Sequence, residues 1–201
     1  SSTAAMMLTA LPLVSPPSES WCAMGFEQKL AQGRVGEGAI SRWLQGRGHS
    51  VFPAYEIEKH SGKGPQLFAA SGDLVLPDLL AFRAGEIRWF EAKHKTCFTW
   101  HRISGKWTTG IDLRHYDEYQ AVAARTGLPV WLLFLHPKAE PSAADREHGC
   151  PDTCPTGLFG NDLDVLAKVE SHRSDRHGRS GMVYWAVDQL RLVAPANEVS
   201  A

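Results

Sequence analysis

The sequence predicts an α/β domain in which a central mixed β-sheet is flanked by helices. Two short apolar runs at 74–82 and 87–92 are joined by residues that include Gly85, which predicts an antiparallel hairpin. A later run at 130–135 is apolar throughout, as expected of a central strand covered on both faces. Helical spacing precedes the hairpin and separates it from this strand, so the expected order is helix, three strands, helix, strand.

The first elements follow from local patterns. Apolar residues recur at helical spacing over 22–45, but Gly33, Gly36 and Gly38 interrupt them, so we expect two short helices joined by a turn. A strand is expected over 50–59, followed by a mobile glycine-rich loop at 61–65.

The second half of the chain begins with another predicted hairpin, at 98–102 and 106–110. Asp112 can then cap a helix over 113–126, which Gly127 and Pro129 end. After the apolar run we expect an irregular insertion around 137–160, a helix over 162–171 and a last strand over 182–187.

Composition restricts the class of protein. The chain has 201 residues, of which 43% are hydrophobic and 21% charged, so it can bury a core and is neither wholly disordered, collagen-like nor a coiled coil. We expect a flexible N-terminal segment at 1–20 and a single domain at 21–201. The net charge of −1 excludes a polybasic coat but not a local basic face.

Location is predicted from cysteine content and hydropathy. Four cysteines are too few for a disulfide scaffold, which indicates a reducing compartment. No apolar run reaches the roughly 18–20 residues that span a bilayer, and the N-terminal stretch lacks the basic start of a secretory signal. We therefore expect a cytoplasmic protein, in a bacterium or phage-infected cell, without a membrane partner.

The predicted first hairpin carries the most informative polar residues. Glu91 and Lys93 are two apart on one strand and project from the same face, while Asp78 lies at the start of the paired strand. Two carboxylates held this close repel each other unless a cation lies between them, and such oxygen ligands suit Mg²⁺. The alternative is a surface hairpin with a solvated salt pair.

These residues resemble the motif of the PD-(D/E)XK nuclease superfamily, whose αβββαβ core is restriction-endonuclease-like. Pro77-Asp78 and Glu91-Ala92-Lys93 occur in the family's order, and Glu37 on a preceding helix is similar to an acidic residue of the resolvase-like branch. The loop at 61–65 also resembles the mobile loop of archaeal Holliday-junction resolvases. The resemblance covers 33–135, about half of the chain.

The resemblance implies a metal-dependent DNA nuclease, either an endonuclease or an exonuclease. Asp78, Glu91 and Glu37 would then bind Mg²⁺, which Mn²⁺ can replace, and Lys93 would act on the water or the transition state. A polar residue on the helix before the last core strand accompanies the active site in several branches, which implies a role for Gln120. An enzyme that cuts two strands of branched DNA suits a twofold homodimer. The segments 98–102 and 109–112 are similar to uncharacterised phage and prophage proteins.

Two other functions remain open at this point. The chain could be a catalytically silent DNA-binding module on the same fold, which would bind DNA without cleaving it in Mg²⁺ or Mn²⁺. It could also be an interaction protein held together by structural zinc, which metal analysis would reveal.

Basic side chains predict where DNA would lie. Residues 83–115 hold seven basic and three acidic side chains, a net +4, whereas 116–167 carry −5. A face of this kind neutralises phosphates and gives salt-sensitive binding. The candidate DNA contacts are Lys95, Arg102, Lys106 and Arg114, with Arg173 and Arg176 on a second basic stretch at 171–180. Trp100 and Trp107, opposite each other in the second hairpin, form either a stacking wedge for an unpaired base or a cross-strand pair.

A histidine and two cysteines occur close together in the irregular segment. His148, Cys150 and Cys154 are potential zinc ligands, and His172 or His177 could supply a fourth. Cys-x-x-x-Cys occurs once and no second pair follows, so free thiols or a disulfide are equally compatible with the pattern.

Overall fold

The computed structural model describes residues 21–57, 64–70 and 72–199, with side chains described for 34–55, 64–70 and 72–199. The helices are α1 (Trp21–Gly46), α2 (Leu113–Thr126), α3 (Ala143–Glu147), α4 (Leu163–Leu166) and α5 (Ala196–Val199). Single 3-10 turns occur at Ala54–Ile57 and Val187–Gln189. No helix in these described ranges is long and apolar enough to cross a membrane.

Twelve strands lie within the described residues. The first six are β1 (Ser50–Pro53), β2 (Gln66–Leu67), β3 (Leu74–Val75), β4 (Leu79–Arg83), β5 (Glu86–His94) and β6 (Thr99–His101). The other six are β7 (Lys106–Asp112), β8 (Val130–His136), β9 (Gly157–Asp162), β10 (His172–Ser174), β11 (Met182–Ala186) and β12 (Arg191–Ala194).

The central sheet is mixed, as predicted. Its six strands lie in the order β1-β4-β5-β8-β9-β12, and all neighbours are antiparallel except β5 and β8. A parallel pair requires a crossover connection, and α2 lies on the crossover between β5 and β8. The predicted order of helix, three strands, helix and strand is thus confirmed in α1, β1, β4, β5, α2 and β8.

Two apolar cores cover the central sheet, one on each face. Ile40 and Leu44 of α1 pack with Phe90 and Ala92 of β5 in one core. The other core contains Tyr119 of α2 and residues of a second, four-stranded sheet in the order β10-β11-β7-β6. Strand β8 has buried residues in both cores, which explains why its sequence is apolar throughout.

The prediction of two short helices in 22–45 is wrong, because α1 is continuous. One of its glycines, Gly36, allows close packing instead of forming a turn. A Cβ added at Gly36 would lie 2.3 Å from the Cβ of His94, so the missing side chain allows α1 to approach β5. Burial of the apolar face outweighs the roughly 1 kcal/mol that each glycine costs a helix.

Other bounds also differ from expectation. The strand expected over 50–59 ends at Pro53, and a 3-10 turn follows it. Residues 58–63, which include most of the glycine-rich loop at 61–65, lie outside the described residues. The predicted helix 162–171 is only α4, because the chain then enters β10 and pairs with β11. The insertion ends sooner than predicted, since β9 joins the central sheet from Gly157 onwards. The boundary at residue 20 stays a prediction, since 1–20 are not described.

Candidate active site

The first predicted hairpin, β4–β5, brings Asp78 beside Glu91. Leu79 pairs with Phe90, so Asp78, one residue earlier, reaches the level of Glu91 on the neighbouring strand. The Asp78 Oδ2 atom accepts a hydrogen bond of 2.9 Å from the backbone N–H of Ala92. The register of the hairpin therefore fixes the carboxylate of Asp78 against the strand that carries Glu91 and Lys93.

Glu91 and Lys93 form an ion pair within the fold. The Glu91 side chain is only 1% exposed and that of Lys93 is 30% exposed. Removing a carboxylate from water costs several kcal/mol unless a cation compensates it. This pair therefore differs from the solvated surface salt pair that was the alternative interpretation of the motif.

Helix α1 adds the third predicted carboxylate. Gly36 allows the helix to pack closely against β5, and Glu37 is the next residue in the sequence. The negative charge of Glu37 acts on both Asp78 and Lys93. The structure thus places Glu37 on the helix that packs against the strand of Glu91 and Lys93, and the roles assigned to these residues stay predictions.

The pKa shifts at this site follow from burial and crowded charge. Burial raises the pKa of Asp78 well above its usual range, and the charge of Glu91 raises it further, against the opposing effects of Lys93 and the Ala92 N–H. Burial alone would lower the pKa of Lys93, but Glu91, Asp78 and Glu37 outweigh it and the pKa is raised. Lys93 is accordingly a stable cation among three carboxyl groups.

Helix α2 contributes two residues that the sequence analysis did not select. Tyr119 is buried, and burial followed by the charges of Glu91 and Asp78 raises the pKa of its phenol. His115 stacks on Tyr119 with ring centroids 5.9 Å apart, and burial and Lys93 lower its pKa. Their spacing of four residues places them on one face of α2, a signal present in the sequence. Gln120 is half-buried on the same helix and makes no hydrogen bond or ion pair with the described residues, so its predicted role stays a prediction.

The donor set of the site suits a hard divalent cation. Asp78 and Glu91 are adjacent carboxyl groups, and their oxygens are the hard ligands that Mg²⁺ prefers. In the described residues, however, no group of three His, Cys, Asp or Glu side chains is placed to hold a metal ion, so Glu37 does not complete a site with Asp78 and Glu91 in this structure. The Lys93 ammonium group forms an ion pair with Glu91, so a side chain of the protein itself compensates the Glu91 charge.

The predicted DNA contacts fall into two groups. Arg102, Arg114 and Arg176 are exposed, and Lys95 is half-buried near Lys93. Lys106 instead forms an ion pair with Asp188 at 2.6 Å. Arg173 also has protein partners, since its guanidinium donates to both carboxylate oxygens of Glu170 at 2.7 and 2.8 Å and lies over the ring of Tyr116.

The tryptophans of the second hairpin, β6–β7, form a cross-strand pair. Trp100 lies opposite Trp107, with ring centroids 5.1 Å apart. Trp107 is buried and Trp100 packs against the same core. This arrangement favours the structural interpretation over a wedge for DNA.

The three candidate zinc ligands do not converge. His148 bonds to the carbonyl of Ala144, and no metal-holding group that includes Cys150 or Cys154 occurs in the described part of the chain. The Cys154 thiol donates to the carbonyl of Lys138 at 3.2 Å and lies beside Cys97. The structure thus gives a zinc site at these residues no support, and Cys97, Cys150 and Cys154 are free thiols.

Comparison with solved structures gives a distant similarity of fold. No family model and no curated protein matches the chain. Among solved structures, the fold is similar to Hjc, a Holliday junction resolvase from Archaeoglobus fulgidus, with a TM-score of 0.46 and 10% identity. The alignment covers 84% of this chain and all of that protein. The similarity to phage proteins stays a prediction.

Proposed function

We propose that this protein is a metal-dependent DNA nuclease of the PD-(D/E)XK type that hydrolyses phosphodiester bonds, with branched DNA among its candidate substrates. The observation that carries the proposal is that the buried Glu91 lies beside Asp78 and pairs with Lys93, with Asp78 fixed by the 2.9 Å bond from the Ala92 N–H and Glu37 on the adjacent helix α1. Buried carboxyl groups that crowd one another are costly for a fold and are concentrated at functional sites.

The roles of the carboxyl groups follow from their chemistry. Asp78 and Glu91 would hold Mg²⁺ or Mn²⁺, and Glu37 would contact the ion or a water. When bound, the ion supplies the Lewis acidity that activates water for in-line attack on phosphorus. Ionisation of Asp78, which burial and Glu91 oppose in the protein alone, would be favoured by the bound cation.

Lys93 serves as a charge-stabilising group in this proposal. Its raised pKa keeps the side chain protonated, so it is a poor general base. An ammonium can instead stabilise the negative charge that develops on the phosphate oxygens. To do so it must exchange part of its contact with Glu91 for the substrate.

The test is cleavage of a panel of four-way junction, flap, nicked, single-stranded and linear DNA in Mg²⁺ or Mn²⁺. We expect cleavage by the wild type and by the control Glu86→Gln, which changes an exposed carboxylate of the same strand. Glu91→Gln should abolish cleavage while DNA binding persists. Lys93→Ala should slow cleavage by about 100-fold, the size of effect expected when one group that stabilises transition-state charge is removed. Full activity of Glu91→Gln would refute the site.

One observation favours a second candidate, the catalytically silent DNA-binding module. Lys93 is paired with Glu91, and no three-ligand metal group converges among the described side chains. Binding of the DNA panel without cleavage in either metal would identify this function. A twofold dimer, which would present two sites to two strands, is part of the nuclease proposal and predicts a doubled mass in sedimentation.

A further inference from the structure

A column of three aromatic rings lies on the outer face of the four-stranded sheet. His101 and His172 stack with centroids 4.0 Å apart and an interplanar angle of 12°. His172 stacks in turn on Tyr184 at 4.5 Å and 6°. The three rings are therefore nearly parallel, with His172 in the middle.

The sheet supports this column through a glycine. Tyr184 pairs with Gly110 on β7 and with His172 on β10. A Cβ at Gly110 would lie 2.2 Å from the carbonyl oxygen of Val183 and 2.9 Å from Cδ1 of Tyr184. The missing side chain thus gives room for the phenol ring against the backbone of β7.

Hydrogen bonds hold both ends of the column. The His101 Nδ1 atom lies 2.7 Å from Oγ of Ser104 in the hairpin turn. The His177 Nδ1 atom lies 2.7 Å from the Tyr184 hydroxyl, and its ring meets the tyrosine ring edge-on. Because His177 covers the tyrosine end, the half-buried His101 is the end at which a further ring can be added.

Unpaired positive charge adjoins the histidines of this cluster in the sequence, with Arg102 next to His101 and Arg176 next to His177. Arg102, Arg176 and Arg179 are exposed and form no ion pair with the described residues. The other two cations of this sheet, Lys106 and Arg173, are already paired with Asp188 and Glu170. The arginines therefore remain available to the phosphates that flank a stacked base.

The turn of the β6–β7 hairpin exposes one large apolar side chain. Ile103, next to Arg102, is 85% exposed, more than any other large hydrophobic side chain in the described ranges. Isoleucine is among the apolar residues that proteins insert between base steps. Contact with the exposed base pair at a duplex end or branch point would remove the Ile103 side chain from water.

This face also lies close to the candidate active site. Asp112, at the end of β7, pairs with Met182 of β11, the strand that carries Tyr184, and α2 begins at the next residue. The loop before β11 contacts the start of α2, where the Leu113 N–H donates to Gly181 at 2.9 Å. Helix α2 carries His115 and Tyr119 into that site. One DNA branch could therefore contact both.

We propose that an unpaired base of a DNA substrate stacks on the outer face of His101, with Ile103 at the adjoining duplex end and Arg102 on a flanking phosphate. The inference rests on the proposed function in taking DNA as the partner. It adds the feature of the substrate that would be recognised, a base outside the duplex.

The experiment is a binding titration in EDTA, which separates recognition from cleavage. The probe is a flap DNA with 2-aminopurine at the first unpaired position, and fully paired duplex is the reference. Stacking on an aromatic ring quenches this base, and loss of one such contact weakens binding by about tenfold. His101→Ala should lose both quenching and about tenfold in affinity for the flap, with duplex affinity unchanged.

Three variants give the test its controls. His101→Tyr retains a stacking ring and should restore quenching, which excludes a simple folding defect if His101→Ala also melts like the wild type. His148→Ala changes an exposed histidine elsewhere and should have no effect. Arg102→Gln should weaken flap binding more than Arg191→Gln, an exposed arginine on β12. Quenching unchanged in His101→Ala, or absent in the wild type, overturns the inference.

The results also distinguish the two proposals. Cleavage by the wild type with quenching independent of His101 would refute the stacking site and leave the nuclease intact. Quenching that depends on His101, without cleavage of any DNA, would support the stacking site and refute the nuclease.

Discussion

The two hairpins, β4–β5 and β6–β7, are neighbours in sequence but differ in where their charged side chains lie. The first buries one of them, and the second carries its arginine and lysine side chains at the surface. In the first, the Glu91 carboxylate is buried, with Asp78 beside it and Lys93 as its ion partner. In the second, Lys106 pairs with Asp188 at the surface and Arg102 lies in solvent. The aromatic residues do not differ in this way, because Phe90 of the first hairpin and Trp107 of the second are both buried in a core.

This difference distinguishes the aromatic pair of the second hairpin, which stabilises the fold, from the buried charged groups of the first, which destabilise it. Buried charge rarely repays its desolvation, so the first hairpin holds a group that packing alone would not select. The second hairpin is held by an aromatic pair, and its surface charges contribute little to stability. Function in the first hairpin should therefore depend on its interior, and in the second on its exposed turn.

The largest effect on stability should come from the aromatic pair. Trp107→Ala removes a buried ring and should lower the free energy of unfolding by about 3–5 kcal/mol, as for other buried aromatic residues. Urea unfolding measures this change. Ile103→Ala, in the exposed turn of the same hairpin, should change stability by less than about 0.5 kcal/mol. Equal losses in the two variants would contradict the division between interior and turn.

An intermediate effect should arise from the buried carboxyl group of the first hairpin. The folded-state pKa of Asp78 is raised, so the protein is stabilised by its proton below the ordinary carboxyl pKa of about 4. That stabilisation is lost as the pH rises through the folded-state pKa. Asp78→Asn cannot ionise, so it should gain stability relative to the wild type with rising pH, by about 1.4 kcal/mol for each unit of pKa shift.

Urea unfolding between pH 4 and pH 8 checks this expectation. Asp152→Asn, in an exposed loop, serves as the matched control. Added Mg²⁺ should reduce the difference between wild type and Asp78→Asn, because a bound cation favours the ionised carboxylate. Parallel stability curves for the two proteins would show that ionised Asp78 is not destabilising.

The smallest effect should come from the surface pair of the second hairpin. Lys106 and Asp188 are each about half exposed, so Lys106→Gln should cost no more than about 1 kcal/mol. Its effect on DNA binding should also be small, since the ammonium already has a partner. Arg102→Gln should lower the slope of log affinity against log salt by close to one unit, as for one lost phosphate contact. A larger slope change in Lys106→Gln than in Arg102→Gln would reverse this ranking.

Local sequence signals predicted the elements whose bounds depend only on residues close in the sequence. Helix α2 has the expected bounds, because its apolar face, Asp112 at its start and a left-handed Gly127 at its end are all local. The Asp112 side chain makes no cap hydrogen bond, however. The juxtaposition of Asp78 and Glu91 was predictable because alternation and a short turn define a hairpin register.

Features that depend on distant partners escaped prediction. The continuity of α1 depends on the contact between Gly36 and His94, 58 positions apart, which the sequence shows only as a glycine in a helix. Strands β10 and β12 are three and four residues long and derive their pairing from β11 and β9. Tyr119 was visible as part of an apolar face, but its approach to Glu91 depends on how α2 packs across the sheet.

The close contact between Gly36 and the His94 side chain also fixes the position of α1 along its own axis. A residue with a side chain does not fit there, since even a Cβ would lie 2.3 Å from that of His94. A slip of the helix by one residue would move every following position by about 1.5 Å and turn it by about 100°. Glu37, the next residue, would then face away from Asp78. One hydrogen atom in place of a side chain thus determines where the third carboxylate can reach.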